Sequence, residues 1–329
     1  MYNVVIIGTG TMGREHMRSC RSLSSVKVVG VFDNRQSNAE RYAEEFGVKA
    51  YSSFDEVLHD DAVQIILVCT PTSTHKEYVL RGLEASKHVF CEKPIARTLE
   101  DGEEIVTAAK RGKSKFMVGH VVRFFPEYLQ LREIIRSGRI GRVGVARFVR
   151  AASFPHSVGE WYGDESKSGG VILDMMIHDV DYAQWLFGKV QRIYSKALTY
   201  DGHKEKDYAL VVLRFNNGII AHLEGSWMYP PKTFFTKFEI AGSEGIVEFD
   251  SRTSVAARVL RGTTTSSGKS VEVPKSTLRK TPYALEIEHF IHCIASDRKP
   301  LVGADEALLA LKISLAALES VKTQSVIHL

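Results

Sequence analysis

"NVVIIGTGTMG", residues 3–13, decides the fold. Residues 4–7 are an apolar, β-branched run, the composition of a strand covered on both faces. Gly8, Gly10 and Gly13 follow at once in G-x-G-x-x-G spacing, and "REHMRSC" (14–20) then reads as a helix. Strand, glycine turn and helix in that order open a dinucleotide-binding βαβ unit. Gly8 permits the tight turn, Gly10 lets the backbone approach a diphosphate, and Gly13 lets the helix pack on the strand, with the diphosphate resting on the helix N-terminus. Thr11 and Met12 lie inside the same turn and are expected at the cofactor. Three glycines alone are a weak sign. Asp33, 20 residues past Gly13 at the end of the next strand, strengthens it, because a carboxylate there accepts hydrogen bonds from the adenosine ribose. Its charge repels a 2′-phosphate and so favours NAD over NADP, while Arg35, adjacent to Asn34 at the same edge, keeps NADP open.

Outward from this turn, the first 120 residues alternate apolar runs with helical patterns. "VKVVGVFD" (26–33), "VQIILVCT" (63–70), "KHVFCE" (87–92) and "KFMVGH" (115–120) join the opening strand, with helices such as "NAERYAEEFG" and "THKEYVLRGLEAS" between them. That alternation predicts a doubly wound parallel sheet, a Rossmann domain over residues 1–120. Beyond it, "PEYLQLREIIRSG" reads as a helix and "RVGVARFVRAA" as a strand. "RIYSKALTY", "YALVVLRFNNGIIAHLEGSW", "TKFEIAGSEGIVEF" and "SVAARVLRG" read as successive strands with Asn-Gly and Gly-containing hairpin turns. A Thr/Ser/Lys/Gly-rich loop is expected over 262–281, and helices over 283–296 and 304–322. Residues 121–329 thus form an α+β substrate-binding domain built on a meandering sheet, and the whole chain is α/β.

Bulk properties exclude several classes. At 329 residues the chain divides naturally into two domains, and 44% hydrophobic with 25% charged residues is ordinary globular composition. A formal charge of +4 with interspersed Lys, Arg, Asp and Glu gives no nucleic-acid or anionic-membrane footprint. Cys20, Cys69, Cys91 and Cys293 form neither a disulfide framework nor a zinc-type pair, so no metal is expected and a reduced, cytoplasmic setting is. The chain opens without a basic leader, and no apolar run reaches the ~18 residues that span a bilayer.

Three further segments carry chemistry. "CTPTSTH" (69–75) and "CEKP" (91–94) end parallel strands, where an open α/β sheet places its ligand. Thr70, Pro71, Thr72 and His75, then Glu92, Lys93 and Pro94, are therefore expected around the nicotinamide half of the cofactor, although turn and N-cap chemistry accounts equally well for the first group. "SGGVILDMMIHDVD" (168–181) places Asp174 and His178 one helical turn apart among apolar residues, a spacing that suits a proton-handling pair. Asp179 and Asp181 are expected to be structural.

In that order and spacing, "GTGTMG", Asp33, "CTPTSTH", "CEKP" and "GGVILDMMIHDVD" resemble one family over essentially the whole chain: the NAD(P)-dependent oxidoreductases named after glucose-fructose oxidoreductase, inositol dehydrogenase and the rhizopine-catabolism protein MocA. The resemblance implies a large, mostly antiparallel sheet in the second domain, whose outer face forms a homodimer or homotetramer. It also implies that Lys93, Asp174 and His178 are the catalytic set. The chemistry agrees: a neutral imidazole suits removal of an alcohol proton, Asp174 orients it or binds a neighbouring hydroxyl, and the Lys93 ammonium stabilises developing oxyanion charge while hydride leaves for the nicotinamide.

Substrate contacts are expected from His120, Arg123 and Phe124 in "GHVVRFFPEY", from His156, Trp161 and Tyr162 in "FPHSVGEWYGD", and from Tyr283, because sugar rings are held by polar forks and aromatic walls. The resemblance places Arg123 and Tyr283 near the polyol in inositol-oxidising members. The expected substrate is accordingly a sugar or cyclic polyol, inositol-like. Two rivals are a catalytically silent NAD-binding sensor or assembly protein, which needs neither Lys93 nor His178, and a metal enzyme using His120, Asp174, His178 and Asp179, beside which Lys93 is a poor neighbour.

Overall fold

A computed structural model of the chain describes residues 1–155, 161–200, 203–253, 258–260 and 280–329. His156 and residues 262–279 of the expected loop lie outside the described residues. The chain forms two compact units. One comprises Met1–Val121 with Trp161 and residues 280–311 of those described; the other comprises residues 122–155, the described residues from Tyr162 to 260, and Lys312–Leu329.

The first unit alternates strands and helices: β1 (Tyr2–Ile7), α1 (Thr11–Arg21), β2 (Val26–Phe32), α2 (Gln36–Phe46), β3 (Lys49–Ala50), α3 (Phe54–His59), β4 (Ile65–Val68), α4 (His75–Glu84), β5 (His88–Glu92), α5 (Leu99–Arg111) and β6 (Phe116–Gly119). The strands lie in the order β3-β2-β1-β4-β5-β6, and every pairing is parallel. Val4, Val5, Ile6 and Ile7 are each at most 1% exposed, so β1 has no solvent face. Helices cover both sides, which is why its sequence shows a continuous apolar run instead of alternation. At about 1.5–3 kcal/mol per fully buried aliphatic side chain, this strand is a principal anchor of the unit.

The second unit contains α6 (Pro126–Arg136), β7 (Val143–Ala152), α7 (Glu165–Ser168), α8 (Gly170–Asp174), α9 (Ile177–Phe187), β8 (Val190–Tyr200), β9 (His203–Phe215), β10 (Ile220–Ser226), β11 (Phe234–Gly242), β12 (Gly245–Asp250), β13 (Arg258–Leu260) and the terminal β14 (Ile327–His328). Its sheet runs β13-β12-β11-β7-β10-β9-β8-β14, antiparallel except where β10 pairs with β7. Along β10, Ala221, Leu223 and Gly225 are buried while Ile220, His222 and Glu224 are not, the alternation of a sheet with one covered face.

Residues assigned by sequence to the second domain return to the first unit. α10 (Pro282–Ala295) packs with α1, and its Phe290 ring lies 6.1 Å from Phe90 of β5. α11 (Ala304–Thr323) begins in the first unit and enters the second at Lys312. The apolar face of α10, with Ile287, Phe290 and Ile291 buried, covers the parallel sheet, a pairing that local periodicity cannot assign.

Candidate active site

The glycine turn is built for a close ligand. Gly8 sits at φ +94°, and a Cβ there would lie 2.7 Å from the Cys69 carbonyl oxygen. A Cβ on Gly13 would lie 2.1 Å from the Gly8 oxygen and 3.5 Å from Ile6, so only glycine lets α1 start this close to β1. Gly10 differs: a Cβ there would meet nothing within 4 Å, which leaves its backbone bare. Gly10 is also the N-cap of α1, no side chain caps that end, and its first turn carries no acidic residue. The helix N-terminus thus presents unsatisfied N–H groups and a positive dipole end, the electrostatics a diphosphate requires.

Asp33 supports the turn from the next strand. Its Oδ2 accepts from the Thr9 N–H at 3.0 Å and the Thr9 hydroxyl at 2.8 Å, and its Oδ1 accepts from the Arg35 N–H at 3.0 Å. A carboxylate has about four acceptor directions, so capacity remains for a ribose hydroxyl. The Arg35 side chain is exposed, as is Asn34.

The next two loops are clasped together by His75. Its Nδ1 lies 2.8 Å from the Pro94 carbonyl and its Nε2 lies 2.9 Å from the Thr70 carbonyl, and burial lowers its basicity. Thr70 accepts a hydrogen bond from the Thr74 hydroxyl at 2.8 Å, Thr72 is buried, and Pro71 is exposed. His75 and Thr72, both expected at the cofactor, are buried, and the His75 ring spans the two loops. Glu92, also expected at the cofactor, is engaged inside the unit. It is buried, and its Oε1 lies 2.6 Å from His16 Nε2 on α1. Burial pushes its carboxyl up, but the hydrogen bond and charge of His16, with Lys93 adding, leave it below the ordinary value. Lys93, joined to Pro94 by a cis peptide, is the partly exposed residue between two buried ones.

In the second unit, the stretch Val171–Ala183 is buried at every position but two: Asp174 and His178. Polar pairs at helical spacing ordinarily sit on a solvated face with polar neighbours, whereas this one breaks an otherwise sealed surface. The expected single helix is corrected: α8 ends at Asp174 and α9 begins at Ile177. The Met175 and Met176 N–H groups both donate to the Val171 carbonyl, and Asp179 N–H donates back only to Met176, so the helical ladder is offset across the two methionines. Left-handed Gly169 and Gly170, at φ +75° and +65°, start α8.

α9 is clamped beside His178. Asp179 receives Arg150 of β7 through Nε and Nη2, both at 2.8 Å, and Asp181 receives Arg123 through Nε at 2.7 Å and Nη2 at 2.6 Å. All four side chains are buried. Such forked pairs satisfy both partners and fix orientation. Arg123, expected on the polyol, is buried with its Nε and Nη2 on Asp181, and its guanidinium also stacks on Trp185 at 4.9 Å. The placement of Asp179 and Asp181 was readable only as "structural"; their arginine partners had no signal in local spacing.

The remaining expected contacts divide by unit. His120 and Phe124 are buried. Trp161 and Tyr162 are partly exposed in a short 3₁₀ turn (Trp161–Gly163), with the Tyr162 ring edge-on to Trp227 at 6.4 Å. Tyr283 starts α10 in the first unit, its ring edge-on to His16 at 6.1 Å.

A parallel six-stranded sheet with a bare glycine turn and an acidic residue at the second strand end defines an NAD-binding Rossmann protein. Comparison with known proteins places it further. The family profile described as "Oxidoreductase family, NAD-binding Rossmann fold" matches residues 2–120, and the GFO/IDH/MocA C-terminal domain matches residues 128–248. The chain is 31% identical over 247 residues to 1,5-anhydro-D-fructose reductase of Ensifer adhaerens, covering 73% of each chain. It is 27% identical to myo-inositol 2-dehydrogenase of Thermotoga maritima, covering 98% of this chain and 97% of that one. A levoglucosan dehydrogenase solved with NADH and levoglucosan shares the fold, with a TM-score of 0.89, 22% identity and 99% coverage of both chains. The chain belongs to the Gfo/Idh/MocA oxidoreductase family.

Proposed function

We propose that this protein is a dehydrogenase that moves a hydride between a secondary alcohol of a sugar or cyclic polyol, inositol-like in class, and NAD. The observation that carries the reading is the opening of a sealed apolar stretch at Asp174 and His178 alone. The names of the relatives, an inositol dehydrogenase and an anhydro-sugar reductase, support the substrate class.

When bound, NAD supplies a nicotinamide C4 that accepts hydride. The chain's own residues do the rest. His178 takes the hydroxyl proton as general base, Asp174 orients the imidazole or holds a neighbouring hydroxyl, and Lys93 stabilises the charge that develops on the oxygen. In the reverse direction Lys93 polarises the carbonyl and His178 returns the proton. Gly8, Gly10, Thr11, Met12 and Gly13 hold the diphosphate, and Asp33 holds the ribose. Trp161 and Tyr162 supply an aromatic wall.

No helix among the described residues is long and apolar enough to cross a membrane. Exposed Tyr194 and Leu198 on β8, Phe234 on β11 and Ile246 on β12 support assembly of copies through the eight-stranded sheet, as a dimer or tetramer. Light scattering on a sizing column reads that state. Four buried, free cysteines suit a reducing compartment.

The test is a panel of inositols and free sugars with NAD and with NADP, followed by absorbance of the reduced cofactor. Turnover on at least one ring polyol is expected. Tight NAD binding with no turnover on any of them would favour the catalytically silent reading.

A further inference from the structure

His16, Glu92 and Glu286 form a buried cluster in the first unit that the mechanism above does not use. His16 lies on α1, Glu92 ends β5, and Glu286 lies on α10 three residues after Tyr283. One donor atom from each lies within 4.8 Å of the others. Glu92 spends both oxygens: Oε1 on His16 Nε2 at 2.6 Å, and Oε2 on the backbone N–H of Lys93 at 3.2 Å. A carboxylate only accepts, so the shared proton belongs to His16 Nε2. The imidazole is pinned on its other sides by ring edges from Phe90 at 5.1 Å and Tyr283 at 6.1 Å. Both contacts hold Glu92 against Lys93.

We propose that Glu92 and His16 are positioning residues for Lys93: the carboxylate, fixed by the imidazole N–H, holds the lysine's backbone and ties it to the helix that starts at the dinucleotide turn. This inference rests on the role given to Lys93 above. His16 stands six residues past Gly10 on one rigid helix, so a diphosphate seated at that helix and the ammonium at Lys93 share one frame. Glu286 completes the arrangement as a neutral acid. It is fully buried, neither oxygen has a hydrogen-bond partner among the described residues, and two carboxylates this close in a dry interior do not both ionise. Glu92, which has the donors, carries the charge.

A metal ion is the competing occupant of such a donor set. Two ligands at about 2.1 Å from one tetrahedral ion stand about 3.4 Å apart. The 2.6 Å separation of His16 and Glu92 is a hydrogen-bond distance instead.

The experiment compares wild type with Glu92→Gln, His16→Leu, His16→Gln and Lys93→Ala, using NAD and the ring polyol that turns over fastest in the panel. Glu92→Gln and His16→Leu are expected to lower kcat about tenfold while changing the Kd for NADH less than about twofold, because what is lost is placement of one group. His16→Gln, whose amide N–H can reach the same carboxylate, should regain kcat to within about threefold of wild type. A purely structural role would shift melting temperature without that rescue. Apart from activity, 15N-histidine-labelled protein should show an imidazole N–H proton far downfield of the amides, absent in His16→Leu and moved upfield in Glu92→Gln.

Unchanged kcat in both folded Glu92→Gln and His16→Leu, with Lys93→Ala inactive, overturns the positioning role and leaves the dehydrogenase reading standing. Wild-type turnover by Lys93→Ala overturns the reading itself, and the positioning role with it. One equivalent of metal per chain, lost in His16→Leu, also overturns the inference, as does the lack of a downfield proton in wild type. Should His16→Leu fail to fold, the shape-conserving Glu92→Gln carries the test.

Discussion

In the first unit the cofactor site is made of backbone, a bare glycine turn and a helix end, whereas in the second the proposed proton-handling pair is made of side chains on a helix clamped by two buried ion pairs. A backbone site costs little beyond the choice of glycine, because the N–H groups at a helix start are unsatisfied in any case. A side-chain site must be immobilised, and immobilising one by buried charge carries a desolvation cost that only complete pairing offsets. The forks from Arg150 to Asp179 and from Arg123 to Asp181 meet that condition on both sides of each pair. Damage to the second unit should therefore be read first as lost stability, and damage to the first as lost cofactor affinity.

The sharpest break of that contrast is Asp181→Ala. It leaves the Arg123 guanidinium, 1% exposed, without its carboxylate, and breaking a buried pair in this way costs about 3–5 kcal/mol. Urea unfolding followed by circular dichroism measures it. A loss under about 1 kcal/mol, the range of surface pairs, would mean that α9 is not held by this fork.

Next in size, His178→Ala should lower turnover by about 10²-fold or more while leaving NADH affinity unchanged, since general acid–base groups contribute on that scale. Stopped assays at saturating polyol with fluorescence titration of NADH separate the two quantities. Normal turnover would remove His178 from the reaction.

These two variants sit three residues apart on one helix, yet the partner of only one of them was hidden from the sequence. The open pair Asp174 and His178 shows as polar residues in an apolar run, a local pattern. The clamp does not, because Arg123 stands 58 residues from Asp181, and an arginine near a strand end reads equally well as a polyol ligand. The pairing of His16 with Glu92, 76 residues apart, was hidden in the same way. Glycine roles were legible at Gly8 and Gly13 because steric demand is local. So was each parallel strand longer than two residues, since burial on both faces leaves an unbroken apolar run. The offset between α8 and α9 left no sign, for neither methionine breaks a helix by propensity.

Within the first unit, Glu286 allows a smaller test. Burial, then the charge of Glu92, raise its carboxyl well above the ordinary value of 4.5. A raised folded-state value means the neutral form is favoured by folding: its contribution is fully present below the unfolded value and is lost as pH rises towards the folded one. Glu286→Gln removes that dependence. Its stability relative to wild type should rise as pH increases above the ordinary carboxyl value, measured by thermal melts at several pH values. A difference that does not change with pH would mean Glu286 is ionised in the fold.

The smallest effect is expected at Asp33, because there a side chain only assists a backbone site. Its carboxylate ties the Thr9 N–H and hydroxyl on one oxygen and the Arg35 N–H on the other, so it shapes the turn besides the ribose contact proposed for it. Asp33→Ser removes the charge that repels a 2′-phosphate and leaves exposed Arg35 beside the opening. The helix N-terminus and Gly10 remain, so the diphosphate keeps its seat. NAD should weaken by about tenfold and the NAD-to-NADP ratio of kcat/KM should narrow by a similar factor, since one charge-assisted hydrogen bond is worth about 1.5–3 kcal/mol and a new hydroxyl restores part of it. Unfolding free energy should move by less than about 1 kcal/mol, in contrast to Asp181→Ala. If the cofactor ratio stays fixed while stability falls, Asp33 serves the turn alone, and the backbone site selects its nucleotide by some other group.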